Sequence, residues 1–101
     1  MELICKSCDD MACRNFQLVV DLDNQKVTVG TGASTRTYEI TDADDAWINY
    51  EDHHPPSNLL TGYYRISINR SSLQIITQPF NPHGKIMYGY DSVAQCWKRQ
   101  L

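Results

Sequence analysis

The sequence predicts an all-β fold, a small antiparallel meander of six to seven strands that closes into a barrel or a two-layer sandwich with little helix. Three observations carry this. Apolar residues alternate with polar ones at period 2 rather than 3.6 over most of the chain. Turn-forming residues separate these runs about every ten to twelve positions, the spacing of short strands in small barrels and sandwiches. The length of 101 residues suits one domain, 1–101.

Each element follows from its residues. Over 15–22, Phe16, Leu18 and Val20 share one face. Asp23, Asn24 and Gln25 supply turn chemistry, because Asp and Asn tolerate left-handed backbone. Val27 and Val29 alternate in the return strand, so 15–30 reads as a hairpin. Residues 30–34, "GTGAS", connect to a strand over 35–41 with Tyr38 and Ile40 on one face. "DADDAW" predicts a bend or one helical turn. The strand over 46–52 has Trp47 and Asn49 on one side and Ile48 and Tyr50 on the other. "HHPPSN" is a loop, since adjacent prolines give no ladder donors. A strand over 62–69 aligns Tyr64, Ile66 and Ile68, and another follows over 73–77. "QPFNPHG" predicts a loop, and 85–90, "KIMYGY", a further strand. "SVAQCWKRQ" reads equally as a closing strand or a last helical turn. The expected core is Phe16, Leu18, Val20, Val27, Val29, Tyr38, Ile40, Trp47, Ile66, Ile68, Leu73, Ile75, Ile86 and Tyr88.

Composition narrows the function. The apolar share of 42% and charged share of 21% are those of a globular domain. A net charge of −3 and a pI near 5.4 argue against a general nucleic-acid binder, which needs a basic face. No run approaches the roughly 18 apolar residues of a spanning helix. "MELICKSC" lacks the basic head and apolar stretch of a secretion signal, so the expected compartment is the cytoplasm, with thiols reduced.

The four cysteines raise the main chemical question. "CKSCDDMAC" holds Cys5, Cys8 and Cys13, and Cys96 lies near the other end. C-x-x-C spacing lets two thiolates meet one zinc; Cys13 offers a third ligand and Cys96, His53, His54 or His83 the fourth, the candidate set being Cys5, Cys8, Cys13 and Cys96. No second C-x-x-C occurs, so the ribbon pattern is incomplete. Passive reduced thiols, a disulfide joining the termini and a structural zinc all remain open, and the cofactor expectation is none beyond that zinc. Redox catalysis lacks the βαβ context it needs. "EDHHPP" sets carboxylates beside His53 and His54, but neighbouring strand residues face opposite ways, and a solvated loop explains the stretch. "DADD" lacks the glycine and glutamate of a calcium loop and reads as carboxylates capping a turn. "GTGAS" precedes no helix or lysine and is no phosphate loop.

The runs "FQLVVDLDNQKVTV", "YEITDADDAWINYED", "YYRISINRSSLQI" and "GYDSVAQCW" together resemble the short all-β proteins of uncharacterised function encoded by bacteriophages and proteobacteria. The resemblance spans 16–97 and is one of architecture; it carries no catalytic residue over. In such proteins a cysteine near each end is common, which implies Cys13 or Cys8 with Cys96 and leaves Cys5 additional. Closing the meander brings the two ends together, so the segment 1–14 is expected to pack near the C-terminus.

The functional expectation is a non-enzymatic, phage-encoded protein that inhibits a host protein or nucleoprotein complex by occluding or mimicking a surface, an anti-CRISPR-like inhibitor being the concrete form. It would act in the host bacterial cytoplasm as a monomer or homodimer, without touching nucleic acid or membrane. The candidate contact residues are the aromatics Tyr63, Tyr90 and Trp97, which suit interface anchoring, and the carboxylates Asp42, Asp44, Asp45, Glu51 and Asp52, which suit a basic groove. Filling a thin core is the competing role for the aromatics. The alternatives are a virion decoration protein that oligomerises through edge strands, and a zinc-stabilised interaction module.

Overall fold

The computed structural model describes residues 1–8, 12–31, 34–53, 62–89 and 91–99. They form eight strands and, among the described residues, no helix: β1 (Glu2–Cys8), β2 (Cys13–Asp21), β3 (Lys26–Thr31), β4 (Ser34–Ala43), β5 (Trp47–Asp52), β6 (Tyr63–Asn69), β7 (Gln74–Phe80) and β8 (Ser92–Lys98). Each strand pairs antiparallel with the next, and β1 pairs antiparallel with β8, so the meander closes into a barrel. Among the described residues every strand therefore has a neighbour on both sides, with short ladders between β4 and β5 and between β7 and β8.

An eight-stranded barrel is just wide enough for side chains to fill. Alternation decides which do. Leu3 and Cys5 of β1, Leu18 and Val20 of β2, Val27 of β3, Ile48 and Tyr50 of β5, Ile66 and Ile68 of β6, Ile75 of β7, and Ala94 and Cys96 of β8 make up the buried core. Full burial of a side chain such as Leu18 contributes about 2 kcal/mol. The intervening residues, among them Lys6, Gln17, Lys26 and Glu39, are exposed.

Turns set the register. Asp21 accepts hydrogen bonds from the Asn24 backbone N–H (3.1 Å) and side-chain amide (2.8 Å), which closes the β2–β3 turn. Asn69 Oδ1 accepts the N–H groups of Ser71 and Ser72 and closes the β6–β7 turn. A bulge between Ile40 and Asp42 turns Asp42 to face Asn49, whose amide donates to it at 3.0 Å.

The structure corrects four expectations. The strand count is eight, because residues 2–8 form a strand that the cysteine motif concealed. Residues 85–89 are not a strand. Ile86 makes one isolated bridge to Phe80, the chain turns at Gly89 (φ 84°), and Tyr88 is 81% exposed rather than core. β7 instead runs on to Phe80 through Pro79. Its ladder with β8 ends at Thr77–Ser92, so Pro79 forfeits no ladder bond there. Trp47 lies half-buried on the outer face, and Ile48 takes the core position.

Candidate functional site

The cysteines come first. Cys5 stands opposite Cys96 in the β1–β8 ladder, and the two form a disulfide with Cα atoms 4.0 Å apart. Cys8 stands opposite Cys13 in the β1–β2 ladder and forms the second, also at 4.0 Å. Close Cα approach is typical of cross-strand positions without direct ladder bonds. The pairing implied by the resemblance, Cys13 or Cys8 with Cys96, is therefore corrected: Cys5 is the partner. So is the expectation of reduced thiols, since none is free. A sulfur held in a disulfide has no thiolate to give a metal, so Cys5, Cys8, Cys13 and Cys96 are not a zinc set in this structure. Among the described residues no group of three or more His, Cys, Asp or Glu side chains is placed to hold an ion. The cytoplasmic expectation loses its thiol argument, because disulfides persist mainly in oxidising surroundings.

The expected contact residues fall in separate places. Asp42, Asp44 and Asp45 lie around the β4–β5 turn. Asp44 accepts the N–H groups of Ala46 and Trp47, both at 2.8 Å, and these donors hold its carboxyl below the ordinary aspartate range. Glu51 and Asp52 sit at the far end of β5, two and three residues beyond Asn49, the residue that faces Asp42. Glu51 pairs with His53 at 2.9 Å. Asp52 hydrogen-bonds the Tyr38 hydroxyl. Tyr63 is sandwiched between His53 and Phe80, with ring centroids 4.9 and 5.0 Å apart. Tyr90 lies outside the described residues. Among the described residues the three aspartates share the β4–β5 turn and Glu51 and Tyr63 meet through His53, but several of the carboxylates already bind groups of their own chain.

Inside the barrel Tyr38 stacks on Tyr50 at 5.2 Å. Burial pushes both hydroxyls above their ordinary value, and the Asp52 charge adds to the shift at Tyr38. Both phenols stay protonated at neutral pH and serve as packing and hydrogen-bonding groups.

Trp97 leads to a different surface. It faces outward from β8, 52% exposed, opposite Ile4 of β1. Val19 of β2 lies on the diagonal from Ile4, and Val93 shares the outer face of β8. These four large apolar side chains lie on three adjacent strands. Beside Ile4 a shallow groove of about 300 Å³ opens between Gln17, Asn15, Gly30 and Thr35. Gly30 keeps it open, since an added Cβ would meet only the Thr35 methyl at 3.6 Å. On the same outer face Lys6, opposite Gln95, separates Ile4 and Trp97 from Val93, and Arg99 lies beyond Trp97 with Glu2 at 3.8 Å.

The expected set contained Trp97 but missed Ile4, Val19, Val93 and Gly30. The signal was present in "LIC", "LVV" and "SVA", where apolar residues run consecutively. In a strand, consecutive apolar residues make both faces apolar. No family model, no curated protein and no solved structure matches this chain.

Proposed function

We propose that the chain is a non-enzymatic binding protein that covers part of a partner protein with the outer face of β2, β1 and β8. One observation carries this: the barrel interior is filled by its own side chains, while Val19, Ile4, Trp97 and Val93 stand exposed on adjoining strands. An exposed Trp against an exposed Ile is the form of an interface anchor, and Ile4 also lines the groove. The same outer face holds Lys6 and Arg99 against Glu2. The face is net basic, so the stripe fits a protein offering an apolar projection within an acidic rim. The edge-pairing route to a homo-oligomer has no unpaired strand to use. Inhibition of a host protein is the form of this reading that the resemblance to phage and proteobacterial proteins favours. The carboxylates at the two ends of β5 then lie outside the contact.

The test places a photo-crosslinking amino acid at position 97, and in a second sample at Thr37 on β4, in the cell or lysate of origin. The expected result is one discrete adduct from position 97 and none from 37. Unlabelled protein should compete it away, and the Ile4→Asp variant should not. Equal labelling from both positions, or none from 97, would contradict the reading. An adduct of twice the chain mass would replace the foreign partner by a second copy.

A further inference from the structure

Strand β1 carries one cysteine of each disulfide, on opposite faces. Leu3 and Cys5 point into the barrel; Ile4, Lys6 and Cys8 point out. Cys5 is 0% and Cys96 1% exposed, enclosed with Leu3, Leu18 and Ala94 in the core. Cys8 and Cys13 are both exposed, as the last ladder pair before the connection of the β1–β2 hairpin. We propose that Cys8–Cys13 is a thiol–disulfide exchange site that reacts reversibly with low-molecular-weight thiols in the folded protein, while Cys5–Cys96 stays bonded.

Exchange requires a thiolate to reach one sulfur in line with the S–S bond, so access governs it. For Cys8–Cys13 the solvent side of the hairpin gives that access. For Cys5–Cys96 it requires the barrel to open. The thiolate of a first small thiol attacks one sulfur, Cys8 Sγ or Cys13 Sγ. The S–S bond breaks, a mixed disulfide forms, and the other cysteine leaves as a thiolate. A second small thiol attacks the mixed disulfide, releases the oxidised small-molecule disulfide and leaves both cysteines reduced. Two electrons pass from the small thiols to the protein, and the oxidised small molecule reverses the sequence.

Reduction leaves β1 held by its ladders to β2 and β8 and by the inner disulfide. A mixed disulfide places a polar adduct on the same outer face as Lys6 and Ile4. The proposal rests on exposure in the free protein: Cys8 and Cys13 lie on the same outer face of β1 and β2 as the proposed contact, so the experiment uses the protein without a partner.

The experiment incubates the folded protein with graded glutathione, without denaturant, then quenches with acid, blocks thiols by alkylation and digests with trypsin. Fragment 7–14 should carry two blocked thiols or a glutathionyl group while fragments 1–6 and 86–98 remain linked. The outer bond should open at least about tenfold faster than the inner one, since the inner one waits on barrel opening. Oxidised glutathione should restore it. A Cys8→Ser/Cys13→Ser variant should take up no label under the same conditions. The proposal is overturned if both bonds open at one rate, if the inner opens first, or if the outer survives until denaturant is added.

Discussion

The inner and outer faces of β1 are made from alternate residues of one seven-residue strand, and they behave as different materials. The inner face, Leu3 and Cys5, has no solvent contact worth the name and joins the first strand to the last. The outer face, Ile4, Lys6 and Cys8, meets solvent and carries groups the fold does not consume. The two disulfides make the contrast quantitative. Cys5–Cys96 spans a sequence separation of 91, and Cys8–Cys13 one of 5. Chain entropy makes the first worth about 4.5 kcal/mol and the second about 2. Alternation therefore assigns stability to one face and surface chemistry to the other.

Removing the inner bond gives the largest expected effect. Cys5→Ala/Cys96→Ala should lose about 4.5 kcal/mol in urea unfolding, and Cys8→Ser/Cys13→Ser about 2. Equal losses would break the contrast. Next come neighbours on β1. Leu3→Ala should cost about 3 kcal/mol through lost burial and the cavity left behind. Ile4→Ala should stay within about 0.5 kcal/mol, as other exposed positions do. A costly Ile4→Ala would mean that the stripe is part of the fold.

Two smaller effects appear as pH dependence. Tyr50 is buried and its hydroxyl is raised, so the unfolded chain, with tyrosine ionising near about 10, gives up its proton first. Its contribution is complete below pH of about 10 and falls as pH rises above it. Tm measured through alkaline pH should decline, and Tyr50→Phe should lessen the slope. Asp44 runs the other way. Its carboxyl is lowered by the Trp47 and Ala46 N–H groups, so its share is present above the unfolded value near about 4 and is lost as pH falls. Asp44→Asn, which keeps an acceptor, should flatten acid-side Tm more than it lowers Tm at neutral pH.

Local pattern made most of the barrel legible. Leu18, Val20, Val27, Ile66, Ile68 and Ile75 alternate cleanly and lie in the core as their spacing requires. The strand over 2–8 was hidden because Cys5 acts there as a small apolar core residue inside the unbroken run Leu3-Ile4-Cys5. "KIMYGY" alternates, but residues 85–89 are a return loop, led into by Asn81 Oδ1 accepting the N–H groups of His83 and Lys85. Trp47 and Ile48 compete for the same interior, and size favoured the wrong one. Closure by β1 on β8 joins residues some 90 positions apart, as the 91-residue Cys5–Cys96 separation marks, and no local spacing encodes it. The stripe around Trp97 depends on that closure, since Ile4 and Trp97 become neighbours only through it.

A tryptic map of the unreduced protein tests the central claim most directly. Cleavage after Lys6, Arg14, Lys85 and Lys98 separates Cys5 from the other two N-terminal cysteines and isolates Cys96. The closed barrel predicts fragment 1–6 linked to fragment 86–98, with fragment 7–14 closed on itself by Cys8 and Cys13. Fragment 1–6 linked to 7–14, or 7–14 linked to 86–98, would contradict the pairing and with it the two-faced account of β1.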